Sequence, residues 1–391
     1  MSLRIGLLCH DSVGGSARVA VELATALAHR GHDVHLFARR APLGRPEPPG
    51  GVTLHALDDG YAPRHVTPHL DTDWSPTDVD ALAARVAAVG RSVGFDVLHF
   101  HYAIPFASVL EKAGRMLGAA RPALVGTLHG TDVSVLGRRP AIRKELRSIL
   151  GRLDAVTTVS QSHAELALRT FQLEEQPHVI PNFVDVHRFR PEHPARRETR
   201  PLRVIHVSNF RHVKQPLAMA RIFCEVRRSQ AAELWLVGDG EGMLRVRRLL
   251  DRAGLMGETE LFGLRLDVEQ VLPHADVLLV TSRAESFCLV ALEAAACGLP
   301  VVAPRVGGLP ETVVDGRTGH LFEPGDEAGA ARALAGLLAD SAARMRMGAA
   351  AVWHAQQLST AAVVPQYDQL YRGVLDSRVD RVVELVESPA A

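Results

Sequence analysis

Short apolar runs rich in Val, Ile and Leu alternate along the chain with longer stretches whose apolar residues recur at helical spacing. Strands that read as near-continuous apolar runs are buried on both faces, so this alternation predicts repeated βαβ units and a parallel sheet. Strands are expected over residues 4–9, 34–37, 97–101, 124–127 and 155–159, with a glycine turn at 10–16 and a helix over 18–30 that Gly31 ends. A second cycle of strands begins at residues 203–207 and continues through 234–237, 276–280 and 301–303. Between the cycles, PNFVDVHRFRPEHPARRETRP has no apolar periodicity and reads as a linker, with a hinge at 185–201. Residues 42–76, rich in Pro, Gly and His, read as loop. A further helix is expected at 360–374, and residues 377–391 read as a charged tail. The division is therefore an N-terminal domain over 1–190, a C-terminal domain over 191–360, and a terminal helix and tail over 361–391 that packs back on the first domain.

Composition narrows this α/β picture. A chain of 391 residues, 47% hydrophobic, is too long for one core and suits two domains. Its 44 Lys and Arg balance 44 Asp and Glu, so no overall field points to nucleic acid, and an anion must be held by local groups. The four cysteines form no CxxC pair, which fits a reducing cytoplasm. The N-terminus reads as a buried strand rather than a signal peptide, and no apolar run approaches the roughly 18 residues of a membrane span.

Four segments carry chemistry. Ser12-Val13-Gly14-Gly15-Ser16 joins a strand to a helix, where backbone N–H groups can receive an anion. The plain alternative is a tight turn that needs glycine for its own backbone. Its spacing is not GxGxxG, and Phe37, Ala38, Arg39 and Arg40 stand where a dinucleotide fold would carry an acid, which disfavours an NAD enzyme. Thr127-Leu128-His129-Gly130-Thr131-Asp132 lies at a strand's carboxyl end, the usual place for ligand-binding residues. Ser208-Asn209-Phe210-Arg211-His212-Val213-Lys214 follows the first strand of the second domain, and its Arg and Lys can neutralise a diphosphate through charge-assisted hydrogen bonds. A solvated basic loop is the alternative there. Val237-Gly238-Asp239-Gly240 repeats the strand-and-glycine-turn form. The strongest segment runs from Glu285 through Ser286, Phe287, Cys288 and Leu289 to Glu293. Glu293 falls inside an apolar helix, where an unpaired carboxylate is costly to bury, so it needs either hydroxyl donors or a neighbouring Arg.

Together these residues resemble glycosyltransferase family 4, whose signature is a Glu, seven residues and a Glu in the second of two Rossmann-like domains. The likeness covers nearly the whole chain: SVGGS at 12–16, HYAIP at 101–105, TLHGTDVSVLG at 127–137, VSNFRHVK at 207–214, LVGDG at 236–240, ESFCLVALEAAACGLPVV at 285–302 and GGLPE at 307–311. It implies an α/β architecture of two domains facing across a cleft, the GT-B fold. The HGTD pattern with Asn209 is similar to the branch that transfers N-acetylglucosamine from UDP-N-acetylglucosamine (UDP-GlcNAc) to the hydroxyl of L-malate, the first step of bacillithiol synthesis. Other acceptors within the family (an inositol phosphate, a sugar or a lipid-linked group) are alternatives, and a non-catalytic nucleotide-binding protein is a more distant one.

The resemblance also implies roles. Glu293 holds the ribose hydroxyls of UDP, Glu285 contacts the donor sugar, and Arg211 and Lys214 face the diphosphate. Gly14 and Gly15 line the cleft beneath the donor, and His129 touches the transferred sugar. Asn209, Gly238, Ser286, Phe287, Cys288 and Leu289 complete the donor site. Ser16, Tyr102, Thr131 and Arg147 bind the acceptor, with an arginine fork suited to a malate carboxylate. Transfer is retaining, by a front-face route in which the departing phosphate accepts the acceptor's proton as hinge closure excludes water. No metal or other cofactor, no nucleic acid and no stable membrane insertion are implied, and a homodimer is left open. Three departures stand out: Cys288 and Ala17 replace usual glycines, and His10-Asp11 replaces a Tyr-Pro pair.

Overall fold

The structure of the chain, a computed structural model, describes residues 1–12, 14–42, 50–58, 74–191 and 201–387, with residues 379–387 described for their helical path alone. Val13 and most of the segments 42–76 and 185–201 lie outside these. The chain divides into two compact units, Met1–Pro181 with Ala361–Ala391, and Asn182–Thr360. The boundary thus falls before the position the sequence suggested. The reason is local: Val184 forms a bridge with Ser359, and the Val184 and Leu358 backbones are hydrogen-bonded, which ties this segment to the second unit.

The first unit opens with β1 (Arg4–Leu8), α1 (Gly15–His29), β2 (Asp33–Ala38), β3 (Val52–Ala56), α2 (Pro76–Val93), β4 (Val97–His101) and α3 (Ala103–Leu117). It continues through β5 (Ala123–Leu128), α4 (Thr131–Ser134), α5 (Pro140–Leu150), β6 (Ala155–Thr158), α6 (Gln161–Phe171) and β7 (His178–Val179). Its described strands form one parallel sheet in the order β3-β2-β1-β4-β5-β6-β7. Every residue of β4 and β5 is buried, as strands covered on both faces require.

The second unit contains β8 (Leu202–Val207), α7 (Pro216–Val226), β9 (Ala232–Val237), α8 (Met243–Arg252), β10 (Thr259–Gly263), β11 (Val277–Leu279), α9 (Leu289–Ala296), β12 (Val301–Pro304), α10 (Leu309–Thr312), β13 (Gly319–Phe322), α11 (Glu327–Ala339) and α12 (Ser341–Gln357). Its strands form a parallel sheet in the order β10-β9-β8-β11-β12-β13. These two parallel sheets with flanking helices are the expected pair of Rossmann-like domains.

Three readings are corrected. The segment 42–76 holds β3, and β7, β10 and β13 were not foreseen. These are outer strands whose residues are mostly part-exposed, so their sequences lack the continuous apolar run of an interior strand. The helix expected over 360–374 runs on into the segment read as a charged tail: α13 spans Thr360–Glu387. It belongs to the first unit, where Tyr367 and Tyr371 are fully buried, Asp368 pairs with Arg30 at 3.5 Å and Arg372 donates to the Met1 carbonyl at 2.8 Å. Among the described residues no helix is long and apolar enough to cross a membrane.

Candidate active site

In an open parallel sheet, ligands bind where strand order reverses, because neighbouring loops there diverge to opposite faces. In the second unit that point lies between β8 and β11. The loop after β8 is held from inside. His206 Nδ1 is 2.9 Å from the Leu279 carbonyl, which can only accept, so Nδ1 donates and Nε2 accepts the Ser208 hydroxyl at 2.9 Å. Ser208 Oγ in turn accepts the Phe210 N–H at 3.1 Å. Gly238 packs against this loop with a φ of +111°, and a Cβ there would lie 1.8 Å from the Ser208 carbonyl oxygen. Only glycine permits both.

The loop after β11 is fastened to the same place. The Thr281 hydroxyl donates to the Lys214 carbonyl at 2.9 Å, and the Arg283 N–H donates to Val213 at 2.7 Å. Lys214 Nζ donates to Glu285 Oε1 at 2.5 Å, and the Ser282 hydroxyl donates to the same oxygen at 2.6 Å. Burial opposes the charge on Lys214, but Glu285 overcomes it and holds the ammonium above the ordinary lysine value. Gly307 makes room for this turn: a Cβ on it would stand 1.8 Å from the Glu285 carbonyl oxygen. Asn209 and Arg211 flank Lys214 half-buried, and Asn209 Oδ1 and Arg211 Nε make no hydrogen bond among the described residues.

The helix α9 begins directly after this turn. Its N-cap is Cys288, at φ +74° and ψ +72°, a left-handed conformation that a side chain adopts only at a cost. Among the described residues no side chain caps the helix; the Ala291 N–H donates to the Cys288 carbonyl at 3.0 Å, so any further acceptor would be met by the amides nearer the start of the turn. Burial pushes the Cys288 thiol up and keeps it neutral. Ser286 lies in this turn, Phe287 is buried, and the Phe287 carbonyl accepts the Thr312 hydroxyl at 3.2 Å. Glu293, one turn into α9, is 4% exposed and flanked by buried Leu292 and Ala294.

In the first unit the order reverses between β1 and β4. Gly14 caps α1 at φ −69°, and Gly15 begins the helix with nothing within 4 Å of where its Cβ would be. Neither backbone conformation nor packing against the described residues demands glycine at Gly15, which weakens the tight-turn alternative. Ser16 follows in the first turn of α1.

The HGTD segment folds around Asp132, which is fully buried and was not singled out from the sequence. Its carboxylate accepts four backbone N–H groups, those of His129 (3.1 Å), Gly130 (2.6 Å), Val133 (3.2 Å) and Ala103 (3.1 Å). The last joins the loop after β4 to the loop after β5. Tyr102 and Thr131 are thereby brought together, their hydroxyls 2.6 Å apart, with Tyr102 at a strained φ of +78°. His129 is buried rather than standing open, and its Nε2 lies 2.9 Å from His101 Nδ1. Arg147 is exposed on α5, where its guanidinium donates to Gln172.

Residues 13–188 match Glycosyltransferase Family 4, and residues 201–340 match Glycosyl transferases group 1. Over 384 residues, 96% of this chain and 98% of the relative, the sequence is 33% identical to the N-acetyl-alpha-D-glucosaminyl L-malate synthase of Bacillus anthracis. The chain belongs to glycosyltransferase family 4. A D-inositol 3-phosphate glycosyltransferase of Arthrobacter sp. (strain FB24) is 28% identical over 405 residues, covering 94% of this chain and 92% of that one. The crystal structure of an Anabaena protein in complex with UDP-glucose superposes with a TM-score of 0.76 at 21% identity, covering 95% of this chain and 100% of that one. That likeness confirms the two-domain GT-B fold. This glycosyltransferase carries two loop clusters, one in each unit.

Proposed function

We propose that this glycosyltransferase moves N-acetylglucosamine from UDP-GlcNAc to the hydroxyl of L-malate with retention of configuration. The observation that carries the acceptor is the 33% identity to a malate enzyme across 96% of the chain. The donor is assigned mainly to the second unit. Glu293 accepts the ribose hydroxyls, and the first-turn amides of α9, from Cys288 and Leu289, take phosphate oxygens. Lys214 and Arg211 meet the diphosphate charge, and Glu285, positioned by Lys214 and Ser282, accepts a sugar hydroxyl. In the first unit half-buried Gly14 and exposed Gly15 offer backbone to the donor, and His129 touches the transferred sugar.

Malate is assigned to Tyr102, Thr131, Ser16 and Arg147. The two hydroxyls of Tyr102 and Thr131 are already paired and can turn together toward a carboxylate, while the Arg147 fork retains donors beyond the one that Gln172 accepts. The leaving phosphate takes the malate hydroxyl proton, its charge stabilised by Lys214, Arg211 and the amides of α9. No metal takes part in this route.

Mass spectrometry of reactions containing UDP-GlcNAc and L-malate tests the proposal directly. An N-acetylglucosaminyl malate should form only with enzyme, with an α linkage by NMR, and should still form in excess chelator. Product with an inositol phosphate and none with malate would overturn the acceptor.

A further inference from the structure

β4 and β5 pair with His101 opposite Thr127, which carries His101 beside the loop holding His129. The two imidazoles meet edge to edge, His101 Nδ1 to His129 Nε2 at 2.9 Å. Burial, together with neighbouring imidazoles, holds both rings well below the usual histidine range, so both are neutral at neutral pH. Two neutral rings share one proton across such a contact: one donates and the other accepts.

The surroundings decide which. If His129 donated, the proton of His101 would sit on Nε2, and that nitrogen is buried with no hydrogen-bond partner among the described residues. A buried N–H without an acceptor is the costly kind of orphan. If His101 donates from Nδ1, its Nε2 is left with only a lone pair, in a ring that lies beside those of His99 and Tyr367, whose centroids are 4.5 and 6.3 Å from its own.

We propose that His101 is a positioning residue that locks His129 in the tautomer protonated on Nδ1. The inference rests on the reading of His129 as a sugar contact and gives that contact a chemical sign. With Nε2 occupied by the His101 proton and Nδ1 protonated, His129 has no lone pair to offer. It can donate a hydrogen bond to the sugar and cannot serve as the base for the acceptor hydroxyl. The proton must leave by another group, as the front-face route requires. Asp132 complements the lock, holding the His129 backbone N–H while His101 holds the ring.

Nitrogen NMR of the full chain labelled in histidine tests this, the His129 signals being identified by their loss in His129→Gln. The native protein should show His129 protonated on Nδ1. Protonation on Nε2 overturns the proposal. Kinetics supply the second arm. His101→Phe keeps the ring and removes the donor, and kcat should fall about ten-fold with both Michaelis constants nearly unchanged. His101→Asn keeps an N–H near the place of Nδ1 and should restore kcat to within about three-fold of native. A His101→Phe enzyme with native tautomer and native kcat sinks the lock. Native kcat in His129→Gln, with the expected tautomer in the unaltered protein, sinks the sugar contact and leaves the tautomer standing.

Discussion

Lys214 and Glu285 lie on loops that follow two different strands, yet their charged groups meet at 2.5 Å. The ammonium is thus placed before any phosphate arrives, with Glu285 supplying its counter-charge. A diphosphate that engages Lys214 shares it with Glu285 and gains a site already ordered.

Removing one member of this pair leaves the other partly buried without its partner. Lys214→Met should destabilise the second unit by about 2 kcal/mol and abolish most transfer activity. Combining it with Glu285→Gln should recover much of the stability and none of the activity, read by thermal unfolding beside UDP release. The pH dependence has a definite sign. The folded value of Lys214 is raised, so the pair's contribution is complete below the ordinary value of 10.5 and is lost only as pH rises through the higher folded value. Unfolding scans should show no loss from this pair between about pH 7 and 9. A steep loss there that disappears in Lys214→Met would contradict the assignment.

Asp132→Asn keeps the shape of the side chain but offers one carbonyl oxygen, and its amide hydrogens confront backbone N–H groups. It should cost about 3 kcal/mol of first-unit stability and lower kcat, since the same carboxylate orders the loops of Tyr102 and His129. A variant with native melting temperature and native kcat would show that these loops hold themselves.

Cys288 occupies a left-handed N-cap that suits glycine. Cys288→Gly should stay within about 1 kcal/mol of native stability, because relief of backbone strain offsets the lost thiol packing. Cys288→Val should cost more than about 2 kcal/mol, a β-branched residue being the least tolerant of positive φ. Equal unfolding midpoints for the two variants would remove the strain from the account.

Arg147→Lys separates acceptor from donor. A single ammonium cannot reproduce the planar fork, so the malate Michaelis constant should rise about ten-fold or more while that of UDP-GlcNAc stays nearly constant. Normal malate kinetics would remove Arg147 from the site and leave it as the surface partner of Gln172.

The interior strands were legible because burial on both faces writes itself as Val, Ile and Leu: residues 97–101 and 301–303 were read almost at their observed limits. β3 and β10 were not, since a half-exposed outer strand such as TELFG shares its composition with a loop. In the site, Glu285 and Lys214 could each be found from their motifs, but their contact could not, because it depends on β8 and β11 being neighbours in the sheet. The same holds for His101. HYAIP and HGTD are both visible in the sequence, and only the pairing of β4 with β5 shows that one histidine touches the other. Asp132 was in view within HGTD, and a buried acid two residues after glycine is a loop-organising signal that could have been used.

The first unit is assembled from two pieces of chain with the whole second unit between them. Tyr371, which hydrogen-bonds His99 at 2.7 Å, is synthesised after every residue of that second unit. During translation the first sheet must therefore wait, with His99 lacking its Tyr371 partner, until every residue of the second unit has been made. The unit whose synthesis begins first is thus the one whose chain is complete last.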